Sequence, residues 1–92
     1  MGDRTLDRPV TVTVRYFAAA RAAAGVHQEQ LEVFGEGWVR LVLEAATDRH
    51  GAPLARVLQR CSYLLDEIAV HGEMTPVRDG QVLDVLPPFA GG

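Results

Sequence analysis

The chain has 92 residues, 48% of them hydrophobic and 23% charged, with a formal net charge of −3. That length suits one small domain around a single core, and the composition is that of an ordinary globular protein. The acidic balance and the scattered basic residues exclude an electrostatic footprint for nucleic acid or an anionic membrane, and no stretch approaches the ~20 apolar residues of a membrane span.

Residues 1–9 are polar and charged and close on Pro9, which predicts a flexible leader. It has no apolar signal core, and Leu6 stands where an N-myristoylation pattern requires Ser or Thr. From Val10 the pattern alternates, with Val10, Val12, Val14 and Tyr16 on one side and Thr11, Thr13, Arg15 and Phe17 on the other. That predicts a strand with an apolar face. The run AAARAAAG (Ala18 to Gly25) reads as a loop or short helical turn stopped by Gly25, and QEQLEVF as a second strand.

After the punctuation GEGW, Val39, Val42, Leu43 and Ala46 recur at i, i+3, i+4 and i+7. This predicts an amphipathic helix, with Arg49 and His50 in its last turn and Gly51 just past it. Pro53 opens a shorter helix carrying Leu54, Val57, Leu58 and Cys61 on one stripe. LLDEIAVHGE is expected to be strand-like, with Ile68 and Val70 on one face, and Met74 to Val77 to form a short strand interrupted by Pro76. Asp79-Gly80 signals a turn, QVLDVL the last strand, and PPFAGG a tail.

These expectations divide the chain into a leader (1–9), a domain (10–86) and an extended tail (87–92). The order β-β-α-(short α)-β-β-β predicts an α+β fold of the ubiquitin-like β-grasp kind. Its mixed sheet would have one main helix packed across it.

Side chains offer little catalytic material. His27, His50 and His71 are far apart and lack metal-ligand spacing. Cys61 on an apolar stripe behaves as a small hydrophobe with a raised pKa. Asp66 and Glu67, adjacent on a strand-like segment, would point to opposite faces and make a poor carboxylate pair. Trp38 reads as core rim, and FGEGW as a plain helix approach. A single cysteine rules out an internal disulfide and suits a reducing, cytoplasmic setting. All nine basic residues are arginine, so no side-chain amine is present to attack an activated acyl group.

Attention therefore turns to the tail. Gly91 and Gly92 lack Cβ atoms and can enter a channel that excludes other residues. Pro87 and Pro88 fix φ and remove two backbone donors, so the sheet cannot continue. From Pro87 to Gly92 the chain can reach ~20 Å at ~3.3 Å per residue, with Phe89 partway along as an anchor. The reactive group is then the carboxylate of Gly92. Being a poor electrophile, it needs activation as an acyl-adenylate by an ATP-using partner, after which a sulfur nucleophile can displace AMP.

The segments VTVRYFAAARAAAG and DGQVLDVLPPFAGG, with the predicted β-grasp order between them, resemble the small subunits of molybdopterin synthase. These stand within the wider sulfur-carrier family that includes the thiamine-pathway carrier. The resemblance spans roughly residues 10–92 and rests on Phe17 to Arg21, Asp79-Gly80, Pro87-Pro88 and Gly91-Gly92.

It implies that an E1-like adenylyltransferase activates Gly92 and that a sulfur donor protein converts it to a thiocarboxylate. The tail would then donate sulfur within the synthase large subunit to cyclic pyranopterin monophosphate. Catalytic side chains are expected on that large subunit, and no cofactor is expected on this chain. Gly91 lets the terminus pass, Pro87, Pro88 and Phe89 position it, and Phe17 and Leu86 belong to an apolar docking patch. Arg21 has no support from spacing and reads as a solvated loop residue. A sulfur carrier for thiamine or cysteine biosynthesis, a ubiquitin-like protein modifier, and a binding module with an inert tail remain open.

Overall fold

In a computed structural model that describes residues 8–34 and 37–89, the alternating run at Val10 forms strand β1 (Val10–Tyr16). Val12, Val14 and Tyr16 are fully buried in it. The alanine run forms a helix, α1 (Ala18–Ala24), closed by Gly25 in the left-handed region at φ 78°, whose N–H donates to the Arg21 carbonyl. Only a residue without Cβ adopts that geometry at little cost. Strand β2 (Gln28–Val33) then returns antiparallel to β1.

The predicted helical stripe is realised in α2 (Val39–His50), where Val39, Val42, Leu43 and Ala46 are all buried. The shorter helix α3 (Ala52–Leu58) buries Leu54 and Leu58, with Pro53 in its first turn. Three strands complete the sheet: β3 (Ser62–Leu65), β4 (Ile68–Ala69) and β5 (Val82–Leu86). The five-stranded order is β2-β1-β5-β3-β4. β5 runs parallel to β1 and antiparallel to β3, so the sheet is mixed. The fold is the expected α+β arrangement, with helices covering one face of the sheet.

Two sequence expectations for residues 62–77 are corrected. LLDEIAVHGE is a tight hairpin rather than one strand: Leu65 pairs with Ile68 across Asp66-Glu67. Both turn residues have positive φ, 47° and 69°, the sign pattern of a type I′ turn. Asp66 is held there by its own carboxylate, which accepts from the Val82 N–H at 2.9 Å and from Gln81 Nε2 at 3.1 Å. Ile68 is consequently 71% exposed at the sheet edge rather than on a covered face. Residues 74–77 form no strand; Pro76 removes the donor a ladder needs, and the segment is joined to the approach of α2 by an isolated bridge between Pro76 and Trp38 and by backbone bonds from Val39 N–H to the Thr75 carbonyl and from Val77 N–H to the Gly37 carbonyl. Cys61 lies beyond the end of α3, half-buried, with its thiol directed at the Val57 carbonyl.

The helix-facing side of the sheet contains one polar cluster. Glu29 of β2 is almost buried, and its Oε2 accepts from the Tyr16 hydroxyl at 2.6 Å and lies 2.6 Å from His50 Nε2. Arg49 approaches the other oxygen at 3.4 Å. A carboxylate can stay in such a place only while its lone pairs are occupied. Glu29→Ala, which leaves the Tyr16 hydroxyl and His50 unpaired under α2, is expected to cost about 2–4 kcal/mol in urea unfolding. Tyr16→Phe should cost only about 1 kcal/mol.

Burial, followed by the Glu29 hydrogen bond, pushes the Tyr16 phenol far above its ordinary 10.0. Burial also raises Tyr63, whose hydroxyl donates to the Leu58 carbonyl. Above pH ~10 the unfolded chain releases phenolic protons that the fold retains, so stability must fall as pH climbs toward the folded-state values. Tyrosinate absorbance followed against pH should rise together with loss of circular dichroism rather than ahead of it.

Candidate functional site

The tail base is built by strand pairing. Because β1 and β5 are parallel, with Tyr16 opposite Val85 as the last pair, both strands end at the same edge of the sheet. Phe17 stays extended (φ −125°, ψ 150°) and follows Tyr16 just as Leu86 follows Val85. In this register Phe17 and Leu86 are neighbours on the face that no helix covers. Both are half-buried, Pro87 is buried, and Pro88 and Phe89 are exposed.

Arg21 is not a solvated loop residue. It lies in α1, donates from Nε to the Tyr16 carbonyl at 3.2 Å, and holds its guanidinium 5.9 Å from the centre of the Phe17 ring. That fixes the ring's setting at the strand end. The spacing from Phe17 to Arg21 gave no hint of this, because the contact depends on α1 being a helix rather than a loop.

The stem is also not straight. Pro87 ends the ladder, and the chain then turns at Pro88-Phe89, where Phe89 has φ 65° and is 91% exposed. An aromatic residue in the left-handed region is strained by about 1 kcal/mol or more, and here its ring points into solvent. Gly91 and Gly92 lie outside the described residues.

On the helix side of the stem, an open groove of about 570 Å³ is lined by Ala19 of α1, Arg56, Val57, Gln59 and Arg60 at the end of α3, and Pro87 to Phe89. Sequence reasoning did not assemble it, since its walls come from three distant segments.

The open face carries a half-buried ion pair close to the patch. Arg15 grips Asp84 through Nε–Oδ1 at 2.6 Å and Nη2–Oδ2 at 2.9 Å, a two-pronged geometry that satisfies a carboxylate only 6% exposed. The Asp84 hydrogen bond and charge raise the Arg15 pKa further, so the guanidinium stays charged.

Elsewhere the described residues assemble no catalytic cluster. None of their His, Cys, Asp and Glu residues form a group of three or more able to hold a metal. No helix among them is long and apolar enough to cross a membrane. Burial pushes the Cys61 thiol up, away from a reactive thiolate.

A family profile described as "ThiS family" matches residues 14–92. The chain belongs to the ThiS family. A curated relative, the molybdopterin synthase sulfur carrier subunit of Chlamydomonas reinhardtii, is 28% identical over 82 residues, covering 88% of this chain and 98% of its own.

Among solved structures, a putative molybdopterin converting factor subunit 1 from Pyrococcus furiosus is 27% identical with a TM-score of 0.73, covering 86% of this chain and 98% of its own. Small archaeal modifier protein 1 from Methanosarcina acetivorans is 26% identical with a TM-score of 0.75, covering 92% and 99%. A chain of the BexX/CysO complex from Amycolatopsis orientalis is 25% identical with a TM-score of 0.65, covering 88% and 99%. The ThiS-type sulfur-carrier family and its ubiquitin-like fold are thus established. Chains similar to this one have been solved alone and in complex.

In this ThiS-family chain Phe89 has almost no contact to lose on truncation. Phe89→Ala should leave thermal unfolding within about 0.5 kcal/mol of the parent. A large loss of stability would show that the ring packs on its own domain.

Proposed function

We propose that this chain is the sulfur-carrier small subunit of a molybdopterin synthase, and that it carries sulfur as a thiocarboxylate on Gly92. The observation that carries this reading is the stem leaving the central strand of the sheet, its Phe89 exposed, in a chain whose described residues bring no catalytic side chains together. Membership of the ThiS family supports sulfur carriage, and the name of the Chlamydomonas relative supports the molybdopterin role.

In this account the chemistry happens at the terminus and the machinery lies elsewhere. An E1-like adenylyltransferase binds ATP and converts the Gly92 carboxylate to an acyl-adenylate, releasing pyrophosphate. A sulfur donor protein then supplies the nucleophile that displaces AMP. The large synthase subunit receives the tail, with Gly91 passing its narrowest part, and sulfur moves to cyclic pyranopterin monophosphate. Two deliveries complete the dithiolene.

Phe17 and Leu86 dock on the partner, while Pro87, Pro88 and Phe89 aim the terminus. This reading assigns no cofactor to the chain itself. A reducing cytoplasm suits both the thiocarboxylate and the lone Cys61.

The test is a reconstituted pterin-sulfuration assay with the activating protein, a sulfur donor and the large subunit. Deleting Gly92 should reduce product on the order of 100-fold or more without changing the unfolding midpoint, whereas Cys61→Ser should retain activity. A folded Cys61→Ser variant without activity contradicts the assignment of sulfur to Gly92. Lysine-linked adducts through Gly92 with no pterin product would assign a modifier instead.

A further inference from the structure

The groove beside the stem differs in character from the rest of the molecule. The chain is acidic overall, yet no carboxylate lines the groove, and Arg56 and Arg60 are among its lining residues. Among the described residues neither arginine takes part in an ion pair; those that form involve Arg15, Arg40, Arg49 and His50. The same lining includes the apolar groups of Val57, Pro87 and Pro88 and the exposed Phe89 ring. Two cationic groups on Arg56 of α3 and on Arg60 just past its end, beside apolar lining, match a ligand that pairs carboxylates with an apolar side chain.

Strand alternation separates the groove from the patch already described. Leu86 points to the open face of the sheet, whereas Pro87, the next residue, points to the helix side and is buried against it. The stem therefore has two differently built flanks, an apolar one at Phe17 and Leu86 and a cationic-apolar one at Arg56 and Arg60. A channel that encloses the tail must meet both.

We propose that this groove is a second docking site, and that its occupant is an extended acidic-apolar segment of a partner protein. The segment's carboxylates face Arg56 and Arg60, and its apolar side chain lies against Val57, Pro88 and Phe89. The proposal rests on reading the tail as the part a partner encloses. It does not depend on which group Gly92 carries, so the two can fail separately.

The test is an amide-shift titration of the full-length, isotope-labelled chain with acetyl-Asp-Leu-Glu-Leu-amide, and with acetyl-Lys-Leu-Lys-Leu-amide as the charge-reversed probe. The acidic peptide should shift the amides of Ala19, Val57, Gln59 and Phe89 with a dissociation constant on the order of 1 mM. Arg56→Glu combined with Arg60→Glu should weaken it ~10-fold or more. Salt at ~1 M, where screening acts within about 3 Å, should do the same. Arg78→Glu, far from the groove, should leave it unchanged.

Equal response to both peptides, or none at the groove, overturns the proposal. So do groove shifts that appear without peptide when residues 90–92 are removed, which would make the tail itself the occupant. Shifts that depend on protein concentration alone would make it a second copy, and overturn the proposal as well.

Discussion

The parallel pairing of β1 with β5 is the constraint on which the rest of the molecule depends. Parallel strands leave a sheet at the same edge, so the first strand and the last deliver Phe17 and Leu86 side by side. Because β5 is also the middle strand of five, the tail emerges from the centre of the sheet edge. Strand alternation then continues past the last ladder pair and gives the stem its two flanks. The geometry of the site is thus a consequence of topology, and loops contribute little to it.

The sheet tolerates two nearly buried carboxylates, and each is answered from a different direction. Asp84 sits opposite Arg15 across the β1–β5 register, so the same pairing that places the tail also supplies its partner. Glu29 is answered from below by Tyr16 and from above by the last turn of α2. Both arrangements tie strands to specific neighbours, since a one-residue slip would strand a carboxylate among apolar groups. Register is held in this way near the site as well as by the hydrophobic core.

The main elements were legible from periodicity because their apolar residues serve one purpose. Val12, Val14 and Tyr16 at period two, and Val39, Val42, Leu43 and Ala46 at helical spacing, all face the same core. Residues 62–77 were less legible for a physical reason. The hairpin turns on Asp66-Glu67, which adopt positive φ without glycine or asparagine, held by a carboxylate bonding to a strand distant in sequence. Arg21 and the Arg56–Arg60 groove were hidden likewise, because contacts between α1, α3 and the stem exist only after folding. The tail was the reverse case, since Pro87, Pro88 and Phe89 announce by residue type alone where the ladder must stop.

The proposed function puts the transferred sulfur on Gly92. It is tested most directly by intact and fragment mass spectrometry of the chain isolated from cells that contain its activating partner and sulfur donor. Replacement of one oxygen by sulfur, placed on Gly92 by fragmentation and labelled by alkylation separately from Cys61, is the predicted result. A plain carboxylate at Gly92 under those conditions would contradict the account.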